Sequence, residues 1–199
     1  MSEEFDPLKE YILEDGCVLL RPLRVEDCGN LLVYSLNEPE LWKYSLVKVA
    51  GEENLKTYIA AAVSARATGK EYPFIVFDKR SQEFAGSTRF YDIQVSQKTL
   101  QLGYTWYGKK FHGSGLNKHC KYLLLQFAFE QLGMERVEFR ADNTNERSKA
   151  AMKSIGCVAE GVLRSSTIKA DGTRRDSIVL SILKTEWENG VKERLFQKL

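Results

Sequence analysis

The sequence predicts one α+β domain over residues 1–199, antiparallel in its first half, with a strand–loop–helix–strand unit in its middle. Three observations lead there. Three strand-like runs follow one another with only four or five polar residues between them, as antiparallel neighbours require. A glycine-bearing stretch, "GKKFHGSGLNKHC" (108–120), then separates the last of these runs from an amphipathic helix. The chain closes on two further strand-like runs around Asp171-Gly172, a hairpin signal.

Each element has its own justification. "CVLLRPL" (17–23) reads as a strand, and Val25 to Leu36 as a helix with one apolar face. "NEPELWKYSLVK" (37–48) holds Pro39 and no clear period, which predicts a loop carrying Trp42 and Tyr44. Leu55, Tyr58, Ile59, Ala62 and Val63 recur at helical spacing between Glu52 and Ala67, and Gly69 stops that helix. The three hairpin-linked strands are Tyr72 to Asp78, Glu83 to Ile93 and Thr99 to Tyr107. Leu116, Cys120, Leu123, Leu124, Phe127 and Ala128 mark the apolar face of the next helix, ended by Gly133. "RVEFRAD" (136–142) is a strand, and "NERSKAAMKSIG" (145–156) a helix stopped by Gly156. A charged amphipathic tail, "TEWENGVKERLFQKL" (185–199), follows the closing hairpin.

Composition removes several classes of function. A net charge of +2, with lysines and arginines spread along the chain, argues against nucleic acid as the main partner. No window is apolar enough for a membrane span, and "MSEEFDPLKEY" has no signal-like apolar core, so a cytoplasmic protein is expected. Cys17, Cys28, Cys120 and Cys157 are scattered without metal-ligand spacing. The expectation is four reduced, mostly buried thiols and no metal.

The 108–120 stretch carries the chemistry. A strand that runs through glycines into a helix makes an anion site, because the first amides of the helix lack internal partners and the helix dipole is positive there. Gly113 and Gly115 let backbone approach a ligand, a pyrophosphate is the natural guest, and Lys109 and Lys110 add charge nearby. A tight turn that needs glycine only for its own geometry remains open. A P-loop is excluded, since no Lys-Ser/Thr follows Gly115. A dinucleotide fingerprint has Lys118 at its third glycine, although Asp142 ends the next strand as a ribose-binding acid would. The remaining frame is Lys110-x-x-Gly113-x-Gly115.

In that frame the stretch resembles the [RQK]-x-x-G-x-[GA] loop with which GNAT N-acetyltransferases hold the pyrophosphate of acetyl-CoA. "LGYTWY" (102–107) before it, "NTNERSKAAMKSIGCVAEGVLR" (143–164) after it and "DGTRRDSIVLSI" (171–182) are similar to the RimJ/RimL-like branch. The match runs from about Leu100 to Leu183, and "LRPLRVED" (20–27) fits more loosely. The resemblance implies the acyl-CoA N-acyltransferase fold: three layers, a mixed and mostly antiparallel sheet, and a central parallel pair that splays apart between flanking helices. Relatives of this branch often pair as homodimers.

By the same resemblance, acetyl-CoA is the cosubstrate and lies between the strand ending near Tyr107 and the strand 136–142. Backbone contacts are then expected from Tyr104 and Trp106, and pyrophosphate contacts from the amides of His112, Gly113, Ser114, Gly115, Leu116 and Asn117. Asn145 matches the residue that fixes the pantetheine arm, and Ser148 the one that stabilises departing thiolate, a hydrogen-bonding role for a hydroxyl. Helix capping competes for this pair, with Asn143 and Thr144 expected to supply the cap instead. Glu138 is the candidate proton relay. Gln101 stands where relatives often carry Glu, and "GVLRSSTIK" (161–169) lacks the acid some RimL enzymes place there. The acceptor, a peptide N-terminus or a small amine, is expected to meet the 40–48 loop, Phe90 and Tyr91. A non-catalytic acyl-CoA-binding module and a dinucleotide-binding protein are the competing readings.

Overall fold

A computed structural model describes residues 5–199. One eight-stranded sheet runs in the order β1-β2-β3-β4-β5-β6-β8-β7. Its strands are β1 (Leu13–Glu14), β2 (Val18–Pro22), β3 (Glu71–Asp78), β4 (Glu83–Gln94), β5 (Thr99–Tyr107), β6 (Arg136–Asp142), β7 (Val158–Ile168) and β8 (Arg174–Leu183). Every neighbouring pair is antiparallel except β5 and β6, which are parallel.

Four helices lie against it: α1 (Cys28–Asn37), α2 (Glu52–Ala67), α3 (Leu116–Gln126) and α4 (Glu146–Ser154). The sequence expectations hold for each long element. They miss the two-residue β1, and they place the start of α1 too early, because Val25–Asp27 forms a separate tight turn. Asp27 holds that turn through a bidentate pair with Arg21 at 2.6 and 2.8 Å. No helix among the described residues is long and apolar enough to cross a membrane.

Register tells the two faces of the sheet apart, since directly opposed residues share a face. Phe90 is opposite Tyr72, and Thr88 opposite Phe74; these point toward α3, where Phe90 stacks on Phe127 at 6.2 Å. Arg89 and Tyr91 point the other way, toward α2, where Arg89 lies over the Tyr58 ring at 4.7 Å. The expectation that Phe90 lines an acceptor site is therefore overturned. It is fully buried between Phe74 and Phe127, and its burial is worth about 2–3 kcal/mol to the core.

The hairpin β7–β8 inserts β8 beside β6 and leaves β7 at the edge. Behind it come α5 (Lys184–Glu186) and α6 (Lys192–Phe196), joined across a kink at Gly190 (φ +118°). Trp187 in that kinked segment is buried, stacks on Phe129 at 5.7 Å and donates to Glu130 at 2.9 Å. The amphipathic tail thus fixes the end of α3, whose beginning carries the glycine loop.

Candidate active site

The parallel pairing of β5 with β6 lasts three rungs, Thr99–Arg136, Leu100–Val137 and Gln101–Glu138. Beyond the third rung, β5 follows β4 as far as Tyr107 and β6 follows β8 as far as Asp142. The two strands therefore part, and their facing edges have no strand partner among the described residues. Backbone N–H and C=O groups left this way demand a partner, and an extended peptide-like guest supplies one.

On the open stretch of β5 the register slips. Between the pairs Ser87–Trp106 and Arg89–Gly103, β5 holds one residue more than β4, and Tyr104 takes φ +50°. This bulge re-aims the backbone at the fork, and its cost is met by packing. The Tyr104 ring lies under the Arg89 guanidinium at 4.3 Å and meets Tyr91 edge-on at 5.1 Å.

The loop after β5 turns through Gly113 (φ +77°) and Gly115 (φ +87°) before α3. A side chain at either glycine would meet nothing within 4 Å, so the space beside both is open. The amides of Gly113, Gly115 and Asn117 have no acceptor among the described residues. The other three amides are committed: His112 to the Lys109 carbonyl (3.0 Å), Ser114 to the Phe111 carbonyl (3.4 Å), and Leu116 to Ser114 Oγ (3.4 Å). The His112 ring bonds the Tyr107 carbonyl at 2.8 Å. Gly108 opens the loop against Tyr34, whose ring would lie 2.3 Å from any Cβ there.

Charge around the loop is arranged differently from the sequence expectation. Lys109 pairs with Glu40 and Lys110 with Glu83. Arg80 donates to the Ser114 carbonyl at 3.1 Å, and Arg147 on α4 acts on His112 through its charge. Burial, then the charge of Arg147, lowers the His112 pKa. Sequence reasoning missed both arginines, since one comes from the β3–β4 turn and the other from α4. It also missed Asp15, Cys17 and His119, which converge; Asp15 Oδ2 meets His119 Nδ1 at 2.7 Å while Oδ1 accepts the amides of Cys17 and Val18. That contact ties the first turn of α3 to the β1–β2 hairpin.

At the far end of β6, Asn145 is the cap of α4: its Oδ1 accepts the Ser148 amide at 3.1 Å. The expectation that Asn143 and Thr144 supply the cap is corrected. Thr144 is instead held by Asp142 Oδ1, and the Asn143 carbonyl takes Lys149. The Ser148 hydroxyl has no partner among the described residues. Glu138 sits at the fork, but both its oxygens are taken, by Arg136 at 2.8 Å and Arg140 at 2.7 Å. Gln101 opposite it donates to Asp92 at 2.8 Å.

On the α2 side, the loop after α1 folds back over the fork. Ala170 in the β7–β8 turn donates to the Ser45 carbonyl at 3.3 Å, and Trp42 meets Trp106 edge-on at 4.6 Å. Beneath the fork on the α3 side, buried Lys121 spans the gap. Its Nζ donates to Thr105 on β5 at 2.9 Å and lies 5.7 Å from the Phe139 ring on β6. Burial pulls its pKa down to about 8.

A parallel pair that parts above a glycine loop is the arrangement that the resemblance to GNAT acetyltransferases implies, and the comparisons give the same family. The acetyltransferase (GNAT) domain family signature matches residues 18–158. The chain belongs to this family and is an N-acetyltransferase of the RimJ/RimL-like kind. Membership removes the dinucleotide-binding reading.

Among its relatives, the Bacillus subtilis (strain 168) protein YdaF, named as a ribosomal N-acetyltransferase, is 37% identical over 103 residues, 52% of this chain and 55% of YdaF. A structure from T. thermophilus, described as an acetyltransferase, is 35% identical with a TM-score of 0.85, covering 94% of this chain and 96% of that one. Mycobacterium smegmatis RimJ, solved in complex with CoA-disulfide, shares the fold at 19% identity and a TM-score of 0.76, over 94% and 93% of the two chains.

Proposed function

We propose that this enzyme transfers acetyl from acetyl-CoA to a primary α-amine by direct attack within a ternary complex. The observation that carries the proposal is the fork itself: β5 and β6 part after Gln101 and Glu138, and the parted edge leads into three unpaired loop amides. The pantetheine arm pairs with the open edge of β5 around Tyr104 and Trp106. The pyrophosphate takes the amides of Gly113, Gly115 and Asn117, with Arg80 and Arg147 as cationic arms. His112, Ser114 and Leu116 shape the loop, since their own amides are engaged.

Attack by the amine builds negative charge on the thioester oxygen, which a backbone N–H at the Tyr104 bulge is placed to receive. Ser148 donates its free hydroxyl to the leaving thiolate, and the Asn145 amide nitrogen remains available to the pantetheine. Glu138 holds Arg136 and Arg140 rather than acting as a free proton acceptor. An α-amine, with a reference pKa near 8, is partly neutral at physiological pH and needs less help than a lysine near 10.4. This favours a peptide N-terminus as the acceptor.

The test has two stages. Thermal stabilisation by acetyl-CoA and CoA, with none by NAD or ATP at matched concentration, is expected, because a ligand of the folded state raises the melting temperature. Thiol release from acetyl-CoA on addition of α-amines is then expected. Stabilisation without thiol release from any amine would leave an acyl-CoA-binding module and end the transferase proposal.

A further inference from the structure

The proposed transfer reaction leaves the acceptor's chemistry open, and the α2 face of the fork speaks to it. Four side chains there bury N–H groups that find no acceptor among the described residues: Nε1 of Trp42, Nε1 of Trp106, Nε and Nη2 of Arg89, and Nε of Arg175. Buried donors are normally paired, so a cluster left unpaired marks what is missing, an acceptor of hydrogen bonds. The two arginines differ. Arg89 is 4% exposed, sandwiched between the rings of Tyr58 and Tyr104, and its Nη1 already donates to Glu71 at 2.5 Å.

Arg175 is 8% exposed, and no atom of its guanidinium is hydrogen-bonded or ion-paired within the described residues. It lies on β8, two residues from Ser177, which is opposite Asp142 at the end of β6. It therefore shares the α2 face with Glu138, Arg140 and Asp142. Tyr91 on β4 and Tyr104 on β5 have phenols that burial pushes up, and the charge of Arg175 opposes that rise in both. Glu138 is spent on Arg136 and Arg140, while Asp142 holds Thr144 through Oδ1 and attracts Arg175 without forming an ion pair with it. The hairpin that carries Arg175 also touches the Ser45 loop that closes over the fork.

With its Nε buried and no ion pair among the described residues, the Arg175 guanidinium has donors free for a ligand. The donor fork of arginine matches a planar carboxylate best. We infer that the acceptor is an amine that carries a carboxylate, and that Arg175 binds that carboxylate at the open end of the fork. The source is either a free amino acid or an acidic residue beside a peptide N-terminus. This inference rests on the transferase reading, and the experiment separates the two.

Turnover is measured with matched acceptors: C-terminally amidated Ser-Glu-Gly-Gly against Ser-Gln-Gly-Gly, and glutamate against glutamine amide. The carboxylate-bearing member of at least one pair is expected to have kcat/KM about tenfold or more above its neutral partner, the scale of a hydrogen bond to a charged group. The pair that shows it identifies the source. Arg175→Gln is expected to erase that preference by raising KM for the acidic acceptor, with kcat and the KM for acetyl-CoA little changed. Arg175→Lys is expected to restore part of it. Both variants should fold, because the Arg175 side chain makes no hydrogen bond that they would break, and acetyl-CoA stabilisation checks that they do. Equal efficiency for acidic and neutral acceptors, or a preference that survives Arg175→Gln, overturns the inference while leaving the transferase intact. No turnover of any amine overturns both.

Discussion

Gln101 and Glu138 stand opposite each other on the last rung that β5 and β6 share, and every residue assigned to acetyl-CoA lies beyond that rung. The sheet is closed below them and open above them. Glu138 sits at the fork with each oxygen on a different arginine, while Gln101 is tied sideways to Asp92. The fork is therefore a fixed wedge, and its residues test separately.

Gly113→Val tests the loop. The backbone there has φ +77°, a conformation that costs an L residue about 1–2 kcal/mol, and a β-branched residue is strained most. Nothing in the protein lies within 4 Å of the new Cβ, so an intramolecular clash is not expected. On the proposed binding mode, the space it fills is the pyrophosphate's. Acetyl-CoA affinity by titration calorimetry should fall about tenfold or more, and an unchanged affinity would remove the loop from the pyrophosphate site.

Asn145 and Ser148 make a paired test of capping against chemistry. Asn145→Ala removes the Oδ1 that holds the Ser148 amide and should cost about 1 kcal/mol in urea denaturation. Ser148→Ala keeps that amide and removes only an unpartnered hydroxyl, so stability should hold within about 0.5 kcal/mol. Its kcat should fall about tenfold with CoA affinity intact, the effect of one lost transition-state hydrogen bond. Full turnover by Ser148→Ala would take the serine out of the reaction.

These residues also show how far the sequence is legible. Periodicity and turn chemistry place every long element, because the central strands β3 to β6 and β8 bury most of their side chains and the pattern has to match that burial. The glycine loop and the strands around it are readable for the same local reason. Sequence does not select the cap at Asn145, since Asn143, Thr144 and Asn145 are all favourable cap types and only the course of β6 chooses among them. The place of Phe90 is not legible either, because strand periodicity says which residues share a face and not which face meets α3. Arg80, Arg147 and Arg175 come from three separate segments, and no local pattern in the sequence singles any of them out.

Gly86 tests the closeness of β4 to β5 beside the bulge. An added Cβ would lie 2.0 Å from the Trp106 carbonyl oxygen and 2.9 Å from the Tyr107 Cα, backbone that cannot swing aside. Gly86→Ala should lose about 3 kcal/mol in chemical denaturation. Gly161→Ala on β7, where a Cβ meets nothing within 4 Å, should stay within about 0.5 kcal/mol. Similar losses in both would mean that Gly86 is chosen for flexibility and not for contact.

Lys121 gives a test by pH. Burial holds its folded pKa at about 8, against an ordinary value of 10.5, so the unfolded chain binds more protons than the folded one between those limits. Stability contributed by this residue therefore rises with pH through that window and is lowest below about pH 8, where the buried ammonium is charged in both states. The full swing is about 3 kcal/mol by linkage. Cys120 and Cys157, whose buried thiols titrate near 12, push the other way above pH 9 in any variant that keeps them. The difference between wild type and Lys121→Met isolates the lysine. Lys121→Met should be the more stable protein at pH 7, and its advantage should shrink steadily toward pH 10 in urea denaturation series. An advantage that does not vary with pH would mean that Lys121 titrates outside this range, and a variant less stable at pH 7 would show that its bond to Thr105 outweighs the cost of its burial.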